Sequence, residues 1–117
     1  MKKIYFYFTF LILCFTNLSF GQTQLEMNQT ADLKFKKADA ELNLVYNKLI
    51  KILNKKEKQL LIKAEKDWIK FRDSHCEFEG SQYEGGSIYP LINSTCLIEL
   101  TCKRIAEIKA NIQNRNL

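Results

Sequence analysis

From Leu25 onward the apolar residues recur with a helical period rather than with the alternation of a strand. Phe35, Ala38, Leu42, Val45, Leu49 and Ile52 follow at steps of three and four and form one stripe of a long amphipathic helix. Thr23, with Glu26 three residues on, has the form of a capping box at its start. Asn54 and Glu57 repeat that arrangement, so a second helix is expected to restart after Leu53. In this helix Leu61, Ala64, Trp68, Phe71, His75 and Phe78 fall on one face, and the helix should stop at Gly80. The segment from Gly80 to Ser87 holds three of the four glycines and reads as the one long loop. Ser87 can cap a third helix whose first turn tolerates Pro90. Leu91, Ile98, Cys102, Ile105 and Ile112 carry the apolar spacing of that helix. No segment alternates with period two, and no internal repeat appears. The pattern predicts an all-α fold: a small antiparallel bundle or hairpin of about three helices with one glycine-rich loop.

The segment before Leu25 has a different character. Lys2 and Lys3 precede an apolar run from Ile4 to Phe15, and Ser19-Phe20-Gly21 places small residues where a signal peptidase reads them. Residues 1–21 therefore read as a secretory signal with cleavage before Gln22, leaving one domain over 22–117. The run falls short of the roughly 20 residues that a membrane span prefers. Lipoprotein processing wants a small residue before its cysteine, and Leu13 before Cys14 is bulky. The expected location is therefore periplasmic or secreted, with membrane contact only through an uncleaved signal.

Export makes a disulfide available to a domain with a modest core. The mature chain holds Cys76, Cys96 and Cys102, an odd count. Cys96 and Cys102 lie six residues apart on one helix, about 9 Å along its axis, too far to pair. Cys76 is then the shared partner, and Cys96 is favoured because it sits nearer the returning loop.

Charge is distributed unevenly along the chain. Between Lys34 and Arg72 there are twelve basic and five acidic residues, whereas Asp73 to Cys102 holds five acidic residues and no Lys or Arg. The mature net charge of +3, sixteen basic against thirteen acidic residues, hides this polarity. The basic half resembles a nucleic-acid-binding helix, but export removes that partner and lysines are ordinary cover for a bundle exterior. No nucleic acid is expected. The acidic half sits at a glycine-rich tip, where a basic partner can be met.

Little in the chain points to catalysis or to a cofactor. His75 is the one histidine, and its neighbour Cys76 projects about 100° away on a helix, so the two do not suit one metal or a nucleophile pair. The chain's nine glutamates contain no distinctive pair, and Gly85-Gly86 alone is a turn signal rather than a phosphate cradle. No enzyme, metal or cofactor is expected. Trp68 and Phe71 have core spacing, and Arg72 and Asp73 flank them. Arg72 can reach a carboxylate of the third helix, Glu99 being one candidate, while Arg104 can reach Asp73 or Glu41. Such contacts would set helix register.

Three segments in this order resemble a known family: Ala38-Asp39-Ala40-Glu41-Leu42-Asn43 with Tyr46; Trp68-Ile69-Lys70-Phe71-Arg72-Asp73-Ser74-His75-Cys76; and Gly85-Gly86-Ser87-Ile88-Tyr89-Pro90 with Cys96-Leu97 and Leu100-Thr101-Cys102-Lys103-Arg104. Together they look like the LprI-like lysozyme inhibitor domain, an exported helical module of bacterial envelopes. The sequence departs from that family's pattern in three places. Thr30 stands where many members carry a cysteine, Cys102 stands where members usually have none, and the lipid attachment signal is missing. The resemblance implies a protein partner, a lysozyme. Because animal-type lysozymes are strongly basic, it directs attention to the acidic loop region from Glu77 to Tyr89. There Glu77, Glu79 and Glu84 supply charge, while Ser87 and Tyr89 supply short-range hydrogen-bonding groups for the enzyme's carboxylates. The competing reading is a non-catalytic assembly protein that docks an envelope partner through a helical face.

Overall fold

A computed structural model describes residues 2–116, with side chains from Thr23 onward. The signal peptide expected over residues 1–21, its cleavage point before Gln22, and Cys14 fall outside the residues described with side chains. The chain forms α1 (Lys2–Ile52), α2 (Lys55–Gly80) and α3 (Tyr89–Arg115), with a short 3-10 turn at Ser81–Tyr83 before α3. The break between α1 and α2 lies where the pattern places it. Asn54 is extended at φ −73° and ψ 172°, and its side chain accepts the Glu57 N–H. The Glu57 carboxylate accepts the Asn54 N–H in return at 3.0 Å, which satisfies two donors that the helix start would leave open.

Two expected caps are not formed. Thr23 lies inside α1 rather than at its start, because Gln22 to Glu26 contains no residue that breaks a helix. Ser87 does not cap α3. The N-cap is Ile88, without a side-chain cap bond, and Pro90 occupies the first turn. Successive turn bonds from Gly86 to Tyr83 and from Tyr89 to Gly86 carry the chain one residue further before the helix begins. The Ser87 carbonyl instead accepts from Asn28 Nδ2 at 2.9 Å and ties the loop to α1. Gly85, at φ +78°, provides the left-handed step that this turn needs.

Cross-helix contacts set the direction of each helix. Asn28 meets Ser87 at one end and Glu41 meets Lys109 farther along, so α1 and α3 run parallel. Cys76 meets Cys96, Glu65 meets Arg104, and Glu57 meets Arg115, so α2 runs antiparallel to α3. The result is an up-down-up bundle in which α3 packs along both other helices. Its core is Leu42, Val45, Leu49 and Leu53 of the first helix and its end, against Ile105 and Ile108 of α3, with Tyr46, Leu61, Trp68 and Ile112 packed at the edge. The α1 stripe holds as expected except at its end, where Leu53 turns inward and Ile52 is exposed. In α3, Ile105 is buried as expected, but Ser94, Thr101 and Ile108 complete the inward face and Cys102 is exposed.

The largest departure is the rotation of α2. Its buried residues are Glu65, Arg72, Cys76 and Gly80. Phe71 and Phe78, expected inside, are 55% and 71% exposed. Adjacent helical residues point about 100° apart, so burying Arg72 necessarily carries Phe71 toward solvent. Trp68, expected to be mostly buried, is half-buried, because two arginine side chains cover its ring rather than an apolar helix. Cys76 is fully buried and joins Cys96 across a Cα–Cα distance of 5.5 Å, closing 20 residues that include the loop.

Replacing both Cys76 and Cys96 by serine should lower unfolding stability by about 3 kcal/mol, the loop-closure value for a ring of this size. Denaturant titrations of parent and variant check it, and equal midpoints would refute it. Acid should weaken the α1–α2 junction. The hydrogen bond from Arg115, reinforced by the Asn54 N–H, holds the Glu57 carboxyl below the usual carboxylate range. This contribution is present above the unfolded carboxylate pKa and is lost as pH falls through the lowered folded value. Melting curves of parent and Glu57→Gln across that window should converge toward the acid end.

Candidate functional site

Charged side chains on the inward face of α2 organise the middle of the bundle. Arg72 Nη1 donates to Asp39 Oδ1 of α1 at 2.9 Å and to Thr101 Oγ1 of α3 at 3.3 Å. Its Nε donates to Asp73 at 2.8 Å. The guanidinium lies 5.2 Å from the ring centroid of Phe35 and 5.4 Å from that of Trp68. One side chain thus bonds all three helices, and its charge is matched by two carboxylates and two ring faces. Glu99, the expected partner, is not the one it reaches.

Lower in the bundle, Arg104 donates from Nε and Nη2 to Glu65 Oε2 at 3.0 and 2.8 Å, and from Nη1 to Glu107 at 3.1 Å. Neither Asp73 nor Glu41, the partners expected for it, is reached. Glu41 instead takes Lys109 at 2.7 Å. Burial works against the Arg104 charge, but the bonds to Glu65 and Glu107 outweigh it and raise its pKa overall. Glu65 Oε1 is buried without a hydrogen-bond partner. Burial, and then the Glu65 charge, push the nearby Tyr46 hydroxyl above its usual pKa. These groups border a cavity of about 350 Å³ between α1 and α2, lined in part by Asp39, Tyr46, Glu65 and Arg72.

The loop end of the molecule has the opposite character. Glu77, Glu79, Glu84 and Ser87 are all exposed there, and Tyr89 is half-buried. The Tyr89 ring lies over Gly80 so closely that a Cβ at that position would stand 2.8 Å from it, which is why α2 ends on a glycine. Tyr89 therefore braces the loop against the end of α2, and Glu77, Glu79, Glu84 and Ser87 are among the exposed groups of this end. On α2 just before the loop, Phe71 stacks on His75 with ring centroids 5.4 Å apart. His75 Nε2 lies 4.0 Å from Glu79. Phe71, His75 and Phe78 follow at steps of four and three, so they form one outward stripe beside the acidic residues. The sequence pattern brought these three residues together correctly but assigned their face to the core. The contrary signal was Glu65, Arg72 and Cys76, which share a face that the cysteine pairing forces inward.

Among the described residues, no group of three or more His, Cys, Asp or Glu side chains stands close enough to hold a metal. Cys76 is held in the disulfide. Also among the described residues, no helix is long and apolar enough to cross a membrane.

The family model described as lysozyme inhibitor LprI matches residues 14–108. An uncharacterized protein of Rhizobium meliloti (strain 1021) is 38% identical over 100 residues, covering 74% of this chain and 72% of that protein. No solved structure matches.

Arg72→Met should destabilise the fold by about 3 kcal/mol, since it leaves the buried Thr101 hydroxyl and the Asp39 carboxylate without their shared donor. Asp39→Asn should cost less, about 1 kcal/mol, because Asp39 is part-exposed and water can take its place. Urea unfolding at matched slope ranks the two, and the reverse order would show that Arg72 is not the central contact.

Proposed function

The chain belongs to the lysozyme inhibitor LprI family, and from that membership we propose that it is an exported bacterial envelope protein that inhibits a lysozyme by protein–protein contact. The observation that carries this reading is the acidic loop end on a chain of this family. Asp73 to Cys102 contains no Lys or Arg, and Glu77, Glu79 and Glu84 are exposed within it. A cationic enzyme is attracted to such a surface before contact, and complementary rim charges act chiefly on the rate of encounter. The exposed Ser87 side chain and the accessible edge of Tyr89 provide hydrogen-bonding groups beside the charges. In this reading the protein blocks an enzyme's cleft and performs no chemistry of its own, and it works in the periplasm or outside the cell, where lysozyme reaches peptidoglycan.

Purified protein beginning at Gln22 is mixed with several lysozymes while the clearing of a cell-wall suspension is followed. Slower clearing together with a 1:1 complex on gel filtration is the expected result. Full lysozyme activity at excess protein would set the inhibitor reading aside in favour of an envelope assembly role, and clearing by the protein alone would make it an enzyme. Replacing Glu77, Glu79 and Glu84 by glutamine should slow association by roughly tenfold at low salt and flatten its salt dependence, with the melting curve unchanged.

A further inference from the structure

The two most exposed aromatic side chains on α2 lie at its acidic end. Phe71 is 55% and Phe78 is 71% exposed, on one stripe with His75 between them. Neither packs in the core, and no feature of α2 requires aromatic residues there: at solvent-facing helical positions, straight-chain polar residues hold a helix at least as well. The flanks of Phe78 are acidic, while exposed Lys70 precedes Phe71. Glu79 borders the stripe on one side, and Glu77 stands beyond Ser74 on the other. Asp73 is already paired to Arg72 and Asp67 to Lys63, which leaves Glu77 and Glu79, the latter 4.0 Å from His75, as the exposed carboxylates beside Phe78 in the chain.

We infer that Phe71 and Phe78 are the anchor by which this protein holds a cationic protein surface, with arginine side chains of the partner stacking on the two rings while Glu77 and Glu79 take their charge. The argument rests on charge complementarity. An aromatic face alone accepts any apolar surface, but one whose Phe78 end lies between Glu77 and Glu79, at the start of a stretch from Asp73 to Cys102 without Lys or Arg, repels an acidic partner and favours a guanidinium. That group is planar, weakly hydrated and cationic, so it stacks on a phenyl ring and donates to a neighbouring carboxylate at once. The same molecule shows the chemistry internally, where Arg72 lies over Phe35 and Trp68 while donating to Asp39. A second copy of this chain suits the face less well, because bringing two such stripes together sets glutamates against glutamates. The inference deepens the proposed lysozyme contact and rests on it for the partner's identity, but not for the partner's chemistry. It also divides the labour at this end of the molecule: the glutamates draw the partner in, and the rings, rather than the loop tip, retain it.

The experiment compares the parent with Phe71→Ser, Phe78→Ser and the double variant, each checked by its melting curve. Exposed rings predict melting close to the parent. Two probes are used: the lysozymes of the clearing assay, followed by surface-capture kinetics, and fluorescein-labelled nona-arginine, followed by anisotropy beside a nona-lysine control. The double variant should weaken binding roughly tenfold or more through faster dissociation, as loss of aromatic anchors does, and the parent should prefer arginine to lysine peptide. If the parent binds nona-arginine through the rings but slows no lysozyme, the anchor stands and the lysozyme reading falls. If lysozyme is inhibited equally by parent and double variant, the lysozyme reading stands and the anchor is refuted. A parent that binds neither probe refutes the anchor as well.

Discussion

The rotation of α2 about its own axis is the constraint on which the rest of the structure depends, and Arg72 is the residue that fixes it. A guanidinium this buried is stable only where carboxylates and ring faces meet it from several sides. Asp39, Thr101, Phe35 and Trp68 surround it in that way from α1, α2 and α3. One turn later Cys76 is held inward by Cys96. An ionic contact and a covalent one therefore agree on the same face. Once that face is chosen, the helix has no freedom left to bury Phe71 or Phe78.

This choice explains why so small a bundle carries charge in its middle. The bond network of Arg72 sits between α1 and α2, where the two helices are separated by a cavity rather than by interlocked side chains. Long charged side chains bridge a gap that short apolar ones would leave open, and they do so in one register only. Glu65 with Arg104 repeats the solution nearer the α1–α2 junction. The apolar core itself is shared mainly by α1 and α3, so α2 is attached by the disulfide, by the pairs of Arg72, Arg104 and Arg115, and by Leu61 and Trp68 at the core's edge. A helix attached through polar contacts on one side can present an apolar face on the other.

The polarity of the molecule follows from the same arrangement. The up-down-up course brings the C-terminal turn of α2, the glycine turn and the start of α3 to one end, and this gathers the acidic run there. The lysines of α1 and α2 lie apart from that run in sequence and are scattered over solvated faces, although the parallel packing of α1 on α3 brings Lys34 beside Leu91, Thr95 and Ile98.

Much of the fold was legible in the sequence because its signals are local. The capping box at Asn54 and Glu57, the α1 stripe from Ala38 to Leu49 and the stop at Gly80 depend on spacing along one helix, the pairing of Cys76 with Cys96 follows from there being few cysteines and a six-residue spacing that keeps Cys96 from Cys102, and the structure carries each of them. The family resemblance was legible for the same reason, in short ordered motifs. The rotation of α2 was not, because hydrophobicity alone favoured the face of Phe71 and Phe78, while the burial of Glu65 and Arg72 depends on partners 29 to 39 residues away. The partners of Arg104 and Glu41, the cap of α3 and the half-burial of Trp68 were decided in the same way. Sequence spacing determines which residues share a helix face. Which face turns inward is settled only when the other helices supply the charges that make burying an arginine favourable.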